Sequence, residues 1–320
     1  MKRLPPGIAL LLLAPVFGEL VSVHQTPLQF FNPVSFVLTA LPYGCGAVVC
    51  RELKVRWGKG WVALVLLGLA YGIWEEAIVA RSFWDPDWSE LGPLRAYSFR
   101  GIASWLFAEG LIHFHLTVSI LSSVVLAEVI YRDRRHEPWF GRRGLILCGL
   151  GLLLWLPALA AIKPYLPPVP AFVASWVAVF GLGYLAWRLP ARVFPARRGH
   201  GVAPFWYGLV AAVNMVVVFA FVFILPEEDP AWLPPWPGAV AIVAAADLLA
   251  FWLILRWSGN GTDWDDRHRL ALVCGWLFFF LLMGLFRDLD EGFAGTSLVS
   301  LVTTWGLWRL WRRRRVVATV

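Results

Sequence analysis

Apolar runs of about 18–22 residues recur along the whole chain, each long enough to cross a ~30 Å hydrocarbon layer as a helix. Short polar, proline-rich or arginine-rich segments separate them. Ten spans result: 4–23, 31–50, 61–81, 101–130, 145–162, 170–189, 205–225, 238–256, 269–286 and 296–311. The fourth is long enough to tilt or to extend past the membrane. The pattern predicts an all-α, polytopic transmembrane helix bundle, a single integral-membrane domain over residues 1–320 with the lipid bilayer as its solvent. Ten spans also divide into five plus five of opposite orientation, the parity that an inverted-repeat transporter needs.

Composition agrees. Hydrophobic residues make up 59% of the chain and the mean hydropathy is +0.66, against roughly 45–50% apolar usage in soluble domains. A net charge of +7 would suit a nucleic-acid binder, but the placement of the charges favours the membrane and no nucleic acid. With both termini inside, inner segments hold 23 of the 28 Lys and Arg, and outer segments hold only Arg81, Arg95, Arg100, Lys163 and Arg287. Basic residues stay on the cytoplasmic side, so a plasma (cytoplasmic) membrane protein with cytoplasmic N- and C-termini is expected. Trp57, Trp61, Trp84, Trp88, Trp139, Trp232 and Trp236 fall at the predicted boundaries, as interfacial aromatics do.

Residues 4–23 read as a retained first helix, because the run contains Glu19 and lacks a small-x-small cleavage site. Cys45, Cys50, Cys148 and Cys274 lie in or beside apolar runs without a CxxC pair, so buried free thiols are expected. The sequon at Asn260 falls on the inner side.

Six acidic residues lie within the spans: Glu19, Glu75, Glu76, Glu109, Glu128 and Asp247. An ionisable group there costs about 2.5–3.5 kcal/mol on insertion scales, so each needs a partner, a proton or a function. Glu128 is expected to pair with nearby Arg132. At 1.5 Å per residue, Glu75 lies roughly 21 Å above Trp61, Glu109 roughly 12 Å below Gly101 and Asp247 roughly 13 Å below Gly238. Together with Glu19, these carboxyls form an outer-half layer that predicts one shared polar site.

Helix geometry assigns roles within that layer. Glu109 and His113 are four apart and share a face, whereas His115 points about 120° away from Glu109. A carboxylate beside an imidazole can fix a tautomer, share a proton or ligate a metal. Gly68, Gly72 and Glu76 follow one stripe; Tyr71, Glu75 and Ser82 follow the next. Adjacent residues of a regular helix are about 100° apart, so Glu75 and Glu76 are expected to do different jobs. Pro42, within LPYGCG, invites a break in the second helix. Asn214 and Ser119 are available as interhelical hydrogen-bonders.

The run EEAIVAR, followed by FAEGLIH, resembles the CAAX-protease and bacteriocin-processing family of intramembrane proteases. Their motifs are a Glu-Glu pair with a following Arg, Phe-x-x-x-His, and His-x-x-x-Asn/Asp. The resemblance implies a glutamate-activated water, with Glu75 or Glu76 as base and His113 as partner. Here Arg81 comes one place late, His113 follows Phe107 by six, and the third motif is missing.

A membrane-embedded hydrolase is therefore expected, with Glu75, Glu76, Glu109 and His113 as catalytic candidates. A divalent metal would draw on Glu76, Glu109 and His113, an oxygen-rich donor set. Glu19, Pro42, Tyr71, His115, Asn214 and Asp247 are the supporting or transport-path residues. A proton- or cation-coupled transporter and a non-catalytic scaffold are the alternatives. The sequence names neither a substrate nor an oligomeric state.

Overall fold

The computed structural model describes residues 4–162, 164–194, 201–228, 230, 232–259, 264–290 and 292–313. The Asn260 sequon lies outside them. The fold is all-helical, and no strand occurs among the described residues. Ten helices carry the apolar runs: α1 (Pro6–Val21), α2 (Pro33–Arg56), α3 (Trp61–Ala80), α4 (Trp105–Ile130), α5 (Arg142–Ile162), α6 (Val169–Arg188), α7 (Pro204–Glu228), α8 (Trp236–Trp257), α9 (Asp266–Arg287) and α10 (Thr296–Arg313). Seven of them, α2 to α4 and α6 to α9, are long and apolar enough to cross a membrane.

Local chemistry sets the helix starts. Asn32 caps α2 by accepting from the Val34 and Ser35 amides, with Pro33 in the first turn, where a missing N–H costs nothing. Ser104 caps α4, so that helix begins four residues later than the apolar run; the preceding Phe99 and Ile102 form an isolated bridge instead. Asp265 caps α9 by accepting from the Arg267 and His268 amides. The hydrogen bond from His268 holds the Asp265 carboxyl down at about 2.

Helix α4 is the almost wholly buried axis of the bundle. Its N-terminal half packs on α3 and α8, and its C-terminal half on α1 and α9. The closest pairing joins α7 to α9, where Gly208 faces Gly275. A Cβ at Gly275 would collide with the Gly208 carbonyl oxygen and come 2.7 Å from the Ala211 Cβ. Backbone cannot move aside cheaply, so Gly275→Ala is expected to cost about 1–3 kcal/mol, read as a lower melting temperature of the purified protein.

Among the described residues, winding departs from the regular helix in five places. Val16–Val21, Ala40–Gly44, Trp74–Ala80, His115–Ser122 and Ala220–Ile224 are π-helical, with the wider i→i+5 turn. The segment Ala40–Gly44 replaces the break expected at Pro42. Proline lacks an N–H, and the wide turn absorbs that loss while α2 runs through unbroken. The four cysteines are free, as expected.

Candidate functional site

Four of the five π segments converge on one place. They carry Glu19 on α1, Pro42 and Tyr43 on α2, Glu75 and Glu76 on α3, and His115 and Ser119 on α4. Such segments recur at functional sites because they aim side chains where a regular helix would not.

The centre is a carboxylate–imidazole–carboxylate sandwich. His115 Nε2 donates to Glu76 Oε1 at 2.6 Å. On the other side of the ring, Nδ1 lies 3.2 Å from Glu75 Oε2. This corrects two expectations. Adjacent glutamates serve one histidine because the π turn narrows the angle between them, and that histidine is His115 rather than His113. All three side chains are buried.

The two glutamates differ in how fully they are satisfied. Glu76 is saturated: Oε1 binds His115, and Oε2 accepts from Ser82 Oγ at 2.5 Å. Glu75 Oε2 is buried without an aligned hydrogen bond, and the Tyr71 hydroxyl beside it also lacks one. Ser119 Oγ lies 3.4 Å from His115 Nδ1. The rings of Tyr43 and Tyr71 flank the imidazole, with centroids at 5.9 and 6.0 Å.

A cavity of about 500 Å³ abuts the sandwich. Glu75, Glu76, Glu19 and Tyr43 form its polar wall, and Val79, Leu38 and Trp155 supply apolar surface. It opens at the first turn of α2, where Asn32 and Val34 are exposed. Glu19 stands within reach of the Tyr43 hydroxyl and the Gln25 amide.

The other predicted residues form a separate cluster. His113 and His115 are two apart, hence about 200° apart on α4, and face opposite sides. His113 Nδ1 lies 2.9 Å from Asp247 Oδ1 on α8, which also accepts from Asn214 Nδ2 on α7 at 2.8 Å. Glu109 sits beside Asp247. The shared face of Glu109 and His113 thus holds, but it turns toward α7 and α8 and not toward the glutamate pair. The single shared site is two sites.

The metal candidates divide accordingly, Glu76 in one cluster and Glu109 with His113 in the other. Among the described residues, no three His, Cys, Asp or Glu side chains are placed to hold a metal ion. In the sandwich, the imidazole separates the two carboxylates.

Glu128 also differs from expectation. It pairs with Lys54 at 2.5 Å and lies 3.6 Å from Arg51, not with Arg132. Arg51 is the basic residue that sequence reasoning placed at the surface and the structure buries completely. It donates to Glu52 at 2.7 Å and to the Arg135 carbonyl at 2.9 Å, and stacks 3.5 Å from the Trp139 ring. Tyr43, Gln25, Asn32, Ser82 and Trp155 were likewise missed as site residues. The Ser82 stripe was visible in the sequence, but a regular helix assigned it to Glu75.

Seven helices long and apolar enough to cross a membrane define a multi-pass membrane protein that sits in a lipid bilayer. The chain belongs to the family described as an uncharacterized membrane protein family, whose sequence profile matches residues 8–311. That match supports the membrane class and gives no support to the intramembrane-protease resemblance; the histidine that meets the glutamates follows Phe107 by eight residues, not four. No match was found among curated proteins or among solved structures.

Proposed function

We propose that the protein is a membrane-embedded hydrolase acting through Glu75, on an amphipathic substrate that enters the cavity beside α2. The observation that carries this reading is the unequal satisfaction of the two glutamates. Both oxygens of Glu76 are hydrogen-bonded, to His115 and Ser82, whereas Glu75 lines the cavity and its Oε2, 3.2 Å from His115 Nδ1, makes no aligned hydrogen bond. A general base needs an oriented neighbour and room for a water beside it, and His115 and the cavity supply these to Glu75.

In the proposed step, Glu75 takes a proton from water as its oxygen adds to the carbonyl carbon of an ester or amide. The C–O or C–N bond then breaks, and the leaving group takes up the proton held between Glu75 and His115. Tyr43 and Asn32 bring donors to the cavity wall for the developing oxyanion. Ser119 is fully buried and does not line the cavity, which argues against a serine nucleophile.

Positive charge supports ten crossings of the plasma membrane in one integral domain, with both termini cytoplasmic and the site in the outer half. A transport path through Pro42, Glu75 and Asp247 gains less support, because the cavity meets the first two and Asp247 belongs to the other cluster.

The test is reconstitution of wild type and Glu75→Gln in liposomes with two probes, a quenched fluorogenic transmembrane peptide and a 4-nitrophenyl acyl ester. Wild type is expected to cleave one of them and incorporate ¹⁸O from labelled water. Glu75→Gln is expected to lose about 10²-fold in rate. Absence of cleavage of both probes by wild type, or equal rates for the variant, overturns the assignment.

A further inference from the structure

A second cavity, of about 330 Å³, lies at the other end of the bundle from the glutamates. Three connections meet there: the α2–α3 turn, the segment after α4 and the segment leading into α9. Five nitrogen bases line it, Lys54, Lys59, Arg135, His136 and Arg269, against one carboxylate, Glu128. Glu128 is already committed to Lys54. Arg135 pairs with Asp266 at 2.9 Å, and Lys59 donates to the Leu189 carbonyl at 2.6 Å.

What remains is a surplus of donors. Arg269 stacks over the Trp264 ring at 5.3 Å, and its Nε is buried without an acceptor. The same holds for Arg135 Nε and for the indole N–H groups of Trp61 and Trp264. Four residues on one cavity thus carry buried N–H groups with nothing to accept them. The α3 N-terminus lies on the same space, with Gly60 at its cap and no side-chain cap. A helix N-terminus favours an anion, and arginine favours a planar, multi-oxygen one.

Charge, orphaned donors and the uncapped helix are three independent observations that ask for the same ligand chemistry. We propose that this cavity binds a phosphate group, either as free phosphate or as the headgroup of an anionic lipid. Its volume leaves room for the phosphate and the first atoms of whatever bears it. The site stands apart from the glutamate sandwich and does not depend on the hydrolase reading. Partial desolvation of the exposed His136, and the charge of Arg135 beside it, hold that imidazole below its ordinary range; an anion would relieve the repulsion.

The test is calorimetric titration of the purified full chain in an uncharged detergent. The two probes are inorganic phosphate and dioctanoyl-phosphatidylglycerol, with chloride at matched ionic strength as the blank. Saturable binding above the blank is expected, weakened at least tenfold by Arg269→Gln. Trp61→Phe, which keeps an aromatic ring and deletes one orphaned donor, is expected to weaken it several-fold and carries the test if Arg269→Gln does not fold. Binding of phosphate identifies the free ion as ligand, and binding of the lipid alone identifies the headgroup. Failure of both probes to saturate, or wild-type affinity in the folded variants, overturns the proposal.

Discussion

Replacing His115 by alanine is expected to destabilise the protein by about 3–5 kcal/mol, the cost of stripping a buried ion pair of one partner. Glu75 and Glu76 are only 7% and 8% exposed, and the imidazole between them is their one charge partner within 4 Å among the described residues. Without it, two carboxyls on adjacent residues face each other with no counter-charge between them. Glu76 retains Ser82, but Glu75 retains only Tyr71 beside it. Thermal unfolding in detergent measures the loss. Adding Glu75→Gln and Glu76→Gln to His115→Ala is expected to recover much of it, because amides need no counter-charge. A His115→Ala protein that melts with wild type would show that the sandwich contributes nothing to stability. A triple variant no more stable than the single one would place the cost in lost packing instead.

The second large effect lies at the opposite end, at Arg51. Its guanidinium spans Glu52 and the Arg135 carbonyl, lies 3.6 Å from Glu128, and stacks on Trp139. Glu52 in turn accepts from the Trp139 amide at 2.8 Å, so one buried network ties α2 to the segment between α4 and α5. Arg51→Ala is expected to cost about 3–5 kcal/mol, because Glu52 stays buried with only the partly exposed Arg56 at 3.4 Å left to pair with it. Arg51→Lys is expected to recover less than half of that loss, since a single ammonium cannot reach the same acceptors while stacking on the indole. Chemical unfolding monitored by near-ultraviolet circular dichroism reads both variants. A change under about 0.5 kcal/mol for Arg51→Ala, the range of an ordinary surface substitution, would remove the network from the stability account.

Both residues show where the sequence was informative and where it was not. Every drawn span falls on a helix, because backbone polar groups in oil leave the chain few options and the apolar runs announce the result. The caps at Asn32 and Asp265 were not drawn from the chain, although Asn before Pro and Asp ahead of an apolar run are helix-start signals. Arg51 was not, because hydropathy counts charges at a boundary and does not say which one turns inward. Glu128 was assigned the arginine nearest in sequence, while its partner Lys54 is brought in from another helix. The five carboxyls within the apolar spans were found from their cost alone. Their grouping failed because it rested on depth, and residues at one depth on α4 face opposite sides of the bundle. The choice of His113 over His115 came from the protease resemblance and from the face it shares with Glu109, and that face turns to α7 and α8.

That wider winding has a consequence for how the site is inherited. In the arithmetic of the chain, a π turn amounts to one surplus residue lodged in a helix that would otherwise be regular. Removing one residue from Trp74–Ala80 would let the segment tighten and swing its side chains by about 100° relative to the rest of α3. The information for this site is therefore partly a matter of length. A chain that kept Glu75, Glu76 and His115 but lost one neighbouring alanine would keep every letter of the site and lose the site.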